Sequence, residues 1–359
     1  MRPALGTRVG DLYLRWALEI PSDGEALLRD RIFTRLPERI LDCHAHVNGR
    51  VAAADLSPYG WAQRRSSFPE WDFPSHEAAL GLLYAGRSVR TIWMPQPHKG
   101  VDHKRANRYI LEHKTADDFA TLCGLPDDPT YTIEQIFSGS YVALKMYPHY
   151  VEPPYRHVVE YFPHWALEAV VECGMPIILH LPAPLSQCYQ EVLDLVTSFP
   201  DLRIVLAHLG RESQPRERTA TVLRDLAGCR NIVMDMSMAT NRPLHALALA
   251  TLGPDRILYG SDEPFNLLRY IEIDDPEGGR AVVSHHDYHW NKPWARQRYG
   301  ERARGAPLVH FQALAALIDA LDEVFGDEAD GLLKGLFWDN AHRVFPLTTR
   351  FKSGGVPHD

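Results

Sequence analysis

Short apolar runs recur along the chain, each closed by polar residues and followed by a stretch with helical spacing. They fall at 39–47, 89–94, 119–124, 141–146, 175–180, 202–208, 231–236 and 256–262. Near-continuous apolar runs of this length are what strands buried on both faces require. The stretches between them predict helices at 75–84, 102–114, 133–137, 164–173, 187–198, 219–227 and 244–252, with closing helices at 308–325 and 328–336. Ser75 is the expected N-cap of the first of these. Residues 8–36 read as a helical lead-in ended by Pro37.

This alternation predicts an α/β fold closed as a (β/α)8 TIM barrel. It carries an N-terminal helical lead-in and long loops after the first and eighth strands. An open doubly wound sheet is the rival, but it leaves unexplained why polar residues end strands far apart in the sequence. The organisation expected is an extension at 1–38, the barrel at 39–346 and a tail at 347–359. The loop at 48–74 is rich in aromatics (Tyr59, Trp61, Phe68, Trp71, Phe73), and a long insertion spans 265–306. Loops of that length in a compact domain are usually functional, so we expect a covered, partly apolar pocket for a small organic molecule.

Candidate chemistry sits at the strand ends. In a regular strand Asp42, His44 and His46 share one face, with Cys43 on the other as packing. The two histidines then lie roughly 6–7 Å apart at their Cα atoms, near enough to share an ion. Lys145, His180, His208 and Asp262 end the fourth, fifth, sixth and eighth strands. A barrel brings all these ends to one mouth. Imidazole and carboxylate suit zinc, manganese, iron or nickel, and the lack of thiolates argues against a structural zinc site.

As a set, Asp42-Cys43-His44-Ala45-His46, Leu144-Lys145-Met146-Tyr147-Pro148, Ile178-Leu179-His180, Leu206-Ala207-His208-Leu209-Gly210, Tyr259-Gly260-Ser261-Asp262-Glu263-Pro264 and Asn340-Ala341-His342-Arg343-Val344-Phe345 resemble the amidohydrolase superfamily. The resemblance is to its amidohydrolase-related branch of hydrolases and metal-dependent decarboxylases, over about 39–346. It implies a divalent ion, zinc first among manganese, iron and nickel, bound by His44, His46, His180 and Asp262. It also implies catalytic roles for Asp262 and His208. Some members hold two metals through a carboxylated lysine on the fourth strand, where Lys145 stands. Lys145 holding a substrate carboxylate is the other use, and an ion pair with no chemistry the plainest.

Three functions follow as expectations: a metal-dependent hydrolase of a small amide, lactone or cyclic compound; a non-oxidative decarboxylase of a small carboxylic acid; and a barrel that only binds. The last is disfavoured because every expected ligand position is filled.

Other positions carry weaker signals. His285, His286 and His289 suggest a lid that touches substrate or metal. Gln96 or His98 could meet substrate after the second strand. Met234, Met236 and Met238 read as packing, while Asp235 suits either the pocket or a core pair. His157 and His164 read as surface groups. Asn340 to Phe345 is expected to pin the last helix, with Arg343 fixing a loop. No Gly-x-Ser-x-Gly, phosphate-cradling loop or Gly-x-Gly-x-x-Gly occurs, so serine-hydrolase and nucleotide chemistry have no support.

Composition narrows the partners. The chain is 45% hydrophobic and 23% charged, an ordinary globular balance. A net charge of −8 argues against nucleic acid or an anionic membrane as partner. Five cysteines without a Cys-x-x-Cys fit a reducing compartment. Neither a signal peptide nor an 18-residue apolar run is visible, so a cytoplasmic, small-molecule enzyme is expected, acting as a homo-oligomer.

Overall fold

The two strands Ile177–Leu179 and Ile204–Leu206 show how the barrel sorts its side chains. Ile178 and Val205 point inward, packing with Leu41, Ile92, Ala143, Val233 and Leu258. Ile177, Leu179, Ile204 and Leu206 point outward into the larger core beneath the helices. The alternating phases of each strand thus fill two separate apolar layers.

The computed structural model describes residues 15–19, 21–47, 49, 71–96, 101–151, 153–288 and 291–347. The strands are β1 (Arg39–His46), β2 (Ser88–Met94), β3 (Phe119–Cys123), β4 (Ala143–Met146), β5 (Ile177–Leu179), β6 (Ile204–Leu206), β7 (Ile232–Asp235) and β8 (Ile257–Leu258). They pair in sequence order and in parallel. Closure from β8 to β1 uses backbone beyond β8 itself. Cys43 N donates to Tyr259 O (3.1 Å), Asp262 N to His44 O (2.7 Å) and His46 N to Glu263 O (2.6 Å). The fold is the expected (β/α)8 barrel.

The lead-in forms α1 (Asp23–Arg35), capped by Ser22, whose hydroxyl accepts from Glu25 N, and ended just before Pro37. Among the described residues the longer helices between the strands are α2 (Phe73–Tyr84), α3 (His103–His113), α4 (Pro129–Phe137), α5 (His164–Glu172), α6 (Leu185–Ser198), α7 (Glu217–Leu226) and α8 (Arg242–Leu252). The cap of α2 is Asp72 rather than Ser75, whose backbone N–H donates to the Asp72 carboxylate. Pro74 suits the first turn, where no N–H is needed, so the helix starts earlier than the serine suggests.

The insertion after β8 contains an antiparallel hairpin, β9 (Ile271–Asp275) and β10 (Gly279–Val283), that pairs only with itself. The barrel floor is plugged by Trp338, Ala341 and Phe345, with the Arg39 guanidinium 3.8 Å over the Trp338 ring. Asn340 donates to Pro254 O and Ile257 O, which pins the last helix against the barrel as expected, and Arg343 donates to Asp255 O in the loop before β8. Among the described residues no helix is long and apolar enough to cross a membrane.

Candidate metal centre

A slip in β1 sets the geometry of the mouth. Its pairing with β2 runs from Arg39↔Ser88 to Asp42↔Thr91, then resumes at Ala45↔Trp93. Three residue steps on β1 match two on β2, which is a β-bulge, a feature common beside active sites. Strict alternation therefore fails. Cys43 packs inside the barrel with Leu41, whereas Asp42 points outward to accept from the Tyr84 hydroxyl (3.2 Å) and Ser261 N (2.9 Å). Asp42 does not share a face with the histidines, and burial pushes its carboxyl up to about 6.

Beyond the bulge, His44 and His46 turn toward the mouth and meet Asp262. The carboxylate Oδ1 lies 3.1 Å from His46 Nε2 and 3.4 Å from His44 Nε2. His46 Nδ1 lies 2.9 Å from Pro95 O, which can only accept, so this nitrogen carries the proton. His44 Nδ1 likewise donates to Asp235 Oδ2 at 2.9 Å. Both Nε2 atoms then carry lone pairs; that of His44 faces Lys145 Nζ (2.8 Å) as well as the carboxylate, whereas that of His46 meets the carboxylate oxygen at 3.1 Å. Acceptors set face to face at that distance call for a cation between them, so the donor set fits a divalent ion. All three ligand atoms lie within 4.8 Å of one another. Orienting each imidazole through its far nitrogen is how metal ligands are held. His44, His208 and Asp235 also form a close group, but there Asp235 serves the rear nitrogen of His44.

Lys145 reaches the centre of this group from β4. It is buried, and its Nζ lies 2.8 Å from His44 Nε2. Burial lowers its amine to about 8, against the pull of Asp262 and Asp235. Burial also raises the Asp262 carboxyl, but once the facing imidazoles of His208, His46 and His44 take up protons in acid they outweigh it and leave the group at about 2. Burial takes His46 down to about 4, so it stays neutral near pH 7.

His208 follows β6 in a left-handed turn in which His208, Leu209, Gly210 and Arg211 all have positive φ. Its backbone N–H donates to Asp235 Oδ1 (3.1 Å) and its Nδ1 to Ser237 O (3.1 Å), freeing Nε2. Asp235 thus serves both His44 and His208, and Ser237 hydrogen-bonds to its carboxylate. His180, expected as a further ligand, lies outside the compact group. Its ring is 5.1 Å from that of His208, and its Nε2 is 3.4 Å from the Tyr147 hydroxyl.

These groups open on one cavity of about 370 Å³. His46, Lys145, Tyr147, His180, His208 and Asp262 line its polar side; Met238, Phe265, Leu268, Tyr270 and Val282 line the apolar side. Met238 and Asp262, like His208, have positive φ without being glycine. Left-handed non-glycine residues are costly, and their gathering here marks a site the surrounding fold must hold.

The insertion covers the mouth as expected, but through Tyr270 and the hairpin residue Val282. His285 and His286 do not line the cavity. The His286 ring stacks on Trp16 at 4.9 Å and its Nε2 pairs with Glu19 at 3.3 Å, which docks the lead-in. Gln96 is buried after β2, while His98, His289 and residues 50–70 lie outside the described residues. Sequence reasoning did not assign Tyr147 or Ser237. Nor did it assign Glu263, which accepts from Trp71 Nε1 (3.1 Å) and His76 Nδ1 (2.8 Å) directly beside Asp262.

A parallel barrel with two imidazoles and a carboxylate converging at its C-terminal mouth defines an enzyme scaffold suited to a metal ion. The chain belongs to the amidohydrolase family, whose Amidohydro_2 model matches residues 41–347. Similar solved structures include 5-carboxyvanillate decarboxylase from Sphingomonas paucimobilis (13% identity, 86% of this chain and 99% of that one, TM-score 0.54). Another is a 2-pyrone-4,6-dicarboxylic acid hydrolase assignment from Pseudomonas putida (18%, 88% and 100%, 0.53). A third is a zinc-bound amidohydrolase from Burkholderia multivorans (14%, 85% and 98%, 0.54). At these identities the likeness speaks for the fold, and its members include both hydrolases and decarboxylases. No curated protein sequence matches the chain.

Proposed function

We propose that this protein is a metal-dependent hydrolase of a small, partly apolar molecule, opening an amide, lactone or cyclic C–N or C–O bond. One observation carries the reading. The Asp262 carboxylate, held ionised, touches His44 and His46 while opening on the cavity. An ionised carboxylate at this position can accept a proton from water that a bound ion has acidified. His44, His46 and Asp262 would hold the ion, zinc being the first to test, and His180 stands on the same wall. When bound, the ion supplies Lewis acidity to the reacting carbonyl. Asp262 takes the water's proton, and that same proton reaches the leaving group from Asp262 directly or by way of the free Nε2 of His208. Met238, Phe265, Leu268, Tyr270 and Val282 exclude water and bind the apolar part of the substrate.

A second reading, non-oxidative decarboxylation, is favoured by Lys145. A buried ammonium beside the aromatic ring of Tyr147 (5.9 Å from its centroid) suits a substrate carboxylate. A panel of lactones, amides and aromatic acids, followed for acid release and for carbon dioxide, separates the two. Acid release from lactones or amides supports hydrolysis; carbon dioxide as the sole product overturns it. In the Asp262→Asn variant turnover should fall by about 10²-fold or more, with less metal retained by elemental analysis.

A further inference from the structure

Arg269 and Glu25 form a buried ion pair between the lead-in and the cavity wall. Glu25 is 0% exposed and Arg269 6%. Both terminal guanidinium nitrogens reach the carboxylate and also donate to Ala17 O (3.3 Å) and Ala306 O (3.2 Å), and Nε donates to Trp16 O (3.0 Å). Arg269 stands between Leu268 and Tyr270, both of which line the cavity. In extended backbone neighbours point to opposite sides, so the guanidinium is the rear anchor of that wall. Glu25 precedes the region that matches the family model, whereas Arg269 lies within it. The lead-in has further holds on the same insertion: Trp16 packs on His286 and Tyr288, Glu19 pairs with His286, and the Ser22 hydroxyl donates to Gly305 O (3.1 Å).

We infer that Glu25, acting through Arg269, is a positioning residue for substrate binding, and that α1 is a structural part of the substrate pocket. The inference rests on the cavity being the substrate site. Loss of the carboxylate leaves the buried guanidinium uncompensated, and the wall it anchors loosens toward solvent.

Glu25→Gln keeps the side chain's shape and removes its charge. Hydrogen exchange should become about tenfold faster for amides of 265–284, with the barrel strands unchanged. For whichever panel compound is turned over, releasing acid or carbon dioxide, KM should rise about fivefold with kcat little altered, and Glu25→Asp should restore part of it. The exchange readout needs no substrate, so an inactive panel would count against the proposed function and leave this inference standing. Unchanged exchange at 265–284 in the folded variant would overturn it, as would an equal fall in kcat with KM fixed. If Glu25→Gln does not fold, Glu25→Asp decides by the same two measurements against the parent, with smaller effects in the same direction.

Discussion

Gly260 shows how little room the site leaves a single residue. A Cβ there would stand 2.8 Å from the Cβ of His44 and 3.5 Å from those of Asp235 and Ser237. No flexible side-chain end is available to yield, so the added methyl must shift His44 or Asp235. Gly260→Ala should cost about 1–3 kcal/mol of stability, as overpacking does, and lower turnover by about tenfold or more. Chemical denaturation and kcat measured together check this; a variant as active as the parent would show that His44 has slack. At this scale the sequence disclosed the residue types of the candidate site but not their supports. Histidines and acids at strand ends are visible by type, whereas Asp235 alternates with Met234 and Met236 and could face either way. Left-handed φ at His208, Met238 and Asp262 leaves no trace, because the usual mark of that conformation is glycine.

Among the elements, the eight strands were legible because each is apolar on both faces. The bulge in β1 was not, since Asp42-Cys43-His44 contains neither glycine nor proline to flag it. The hairpin had a signal that went unread. Asp275-Pro276-Glu277-Gly278-Gly279 is a turn sequence between alternating apolar residues, and Asp275 accepts from Glu277 N and Gly278 N to fix it. Ile273, Ala281 and Val283 pack with Ala295 and Ala303 in a small cluster of their own. The hairpin is therefore removable in principle. Replacing 272–282 with a short Gly-Ser linker should leave far-UV circular dichroism and metal content near the parent's. Discrimination between substrates with larger and smaller apolar parts, as a ratio of kcat/KM, should shrink by about tenfold because Val282 leaves the wall. An unchanged ratio would assign selectivity to the barrel alone.

For the molecule as a whole, buried histidines set the acid limit. Burial pulls His245 and His310 down to about 4, from an ordinary value of 6.5. Below about pH 6.5 the unfolded chain takes up protons that the folded chain refuses until about pH 4, so acidification favours unfolding across that window. Asp42, raised by burial to about 6, works the other way, because folded protein then protonates it first. His46 and His286 are lowered to about 4 as well, while His76 and Glu19 are raised and act with Asp42. The lowered histidines prevail, so the calorimetric unfolding temperature should fall from about pH 6.5 to 4, and His310→Gln should flatten the slope. A temperature constant over that range would contradict the balance.

The three backbone contacts that complete the barrel involve Cys43, His44 and His46 on one side and Tyr259, Asp262 and Glu263 on the other. The same short stitches therefore act as the seam of the cylinder and the mount of its ligands. Any breathing that unzips this seam separates the imidazoles from their acid, so a captive ion would escape at the rate at which the cylinder gapes.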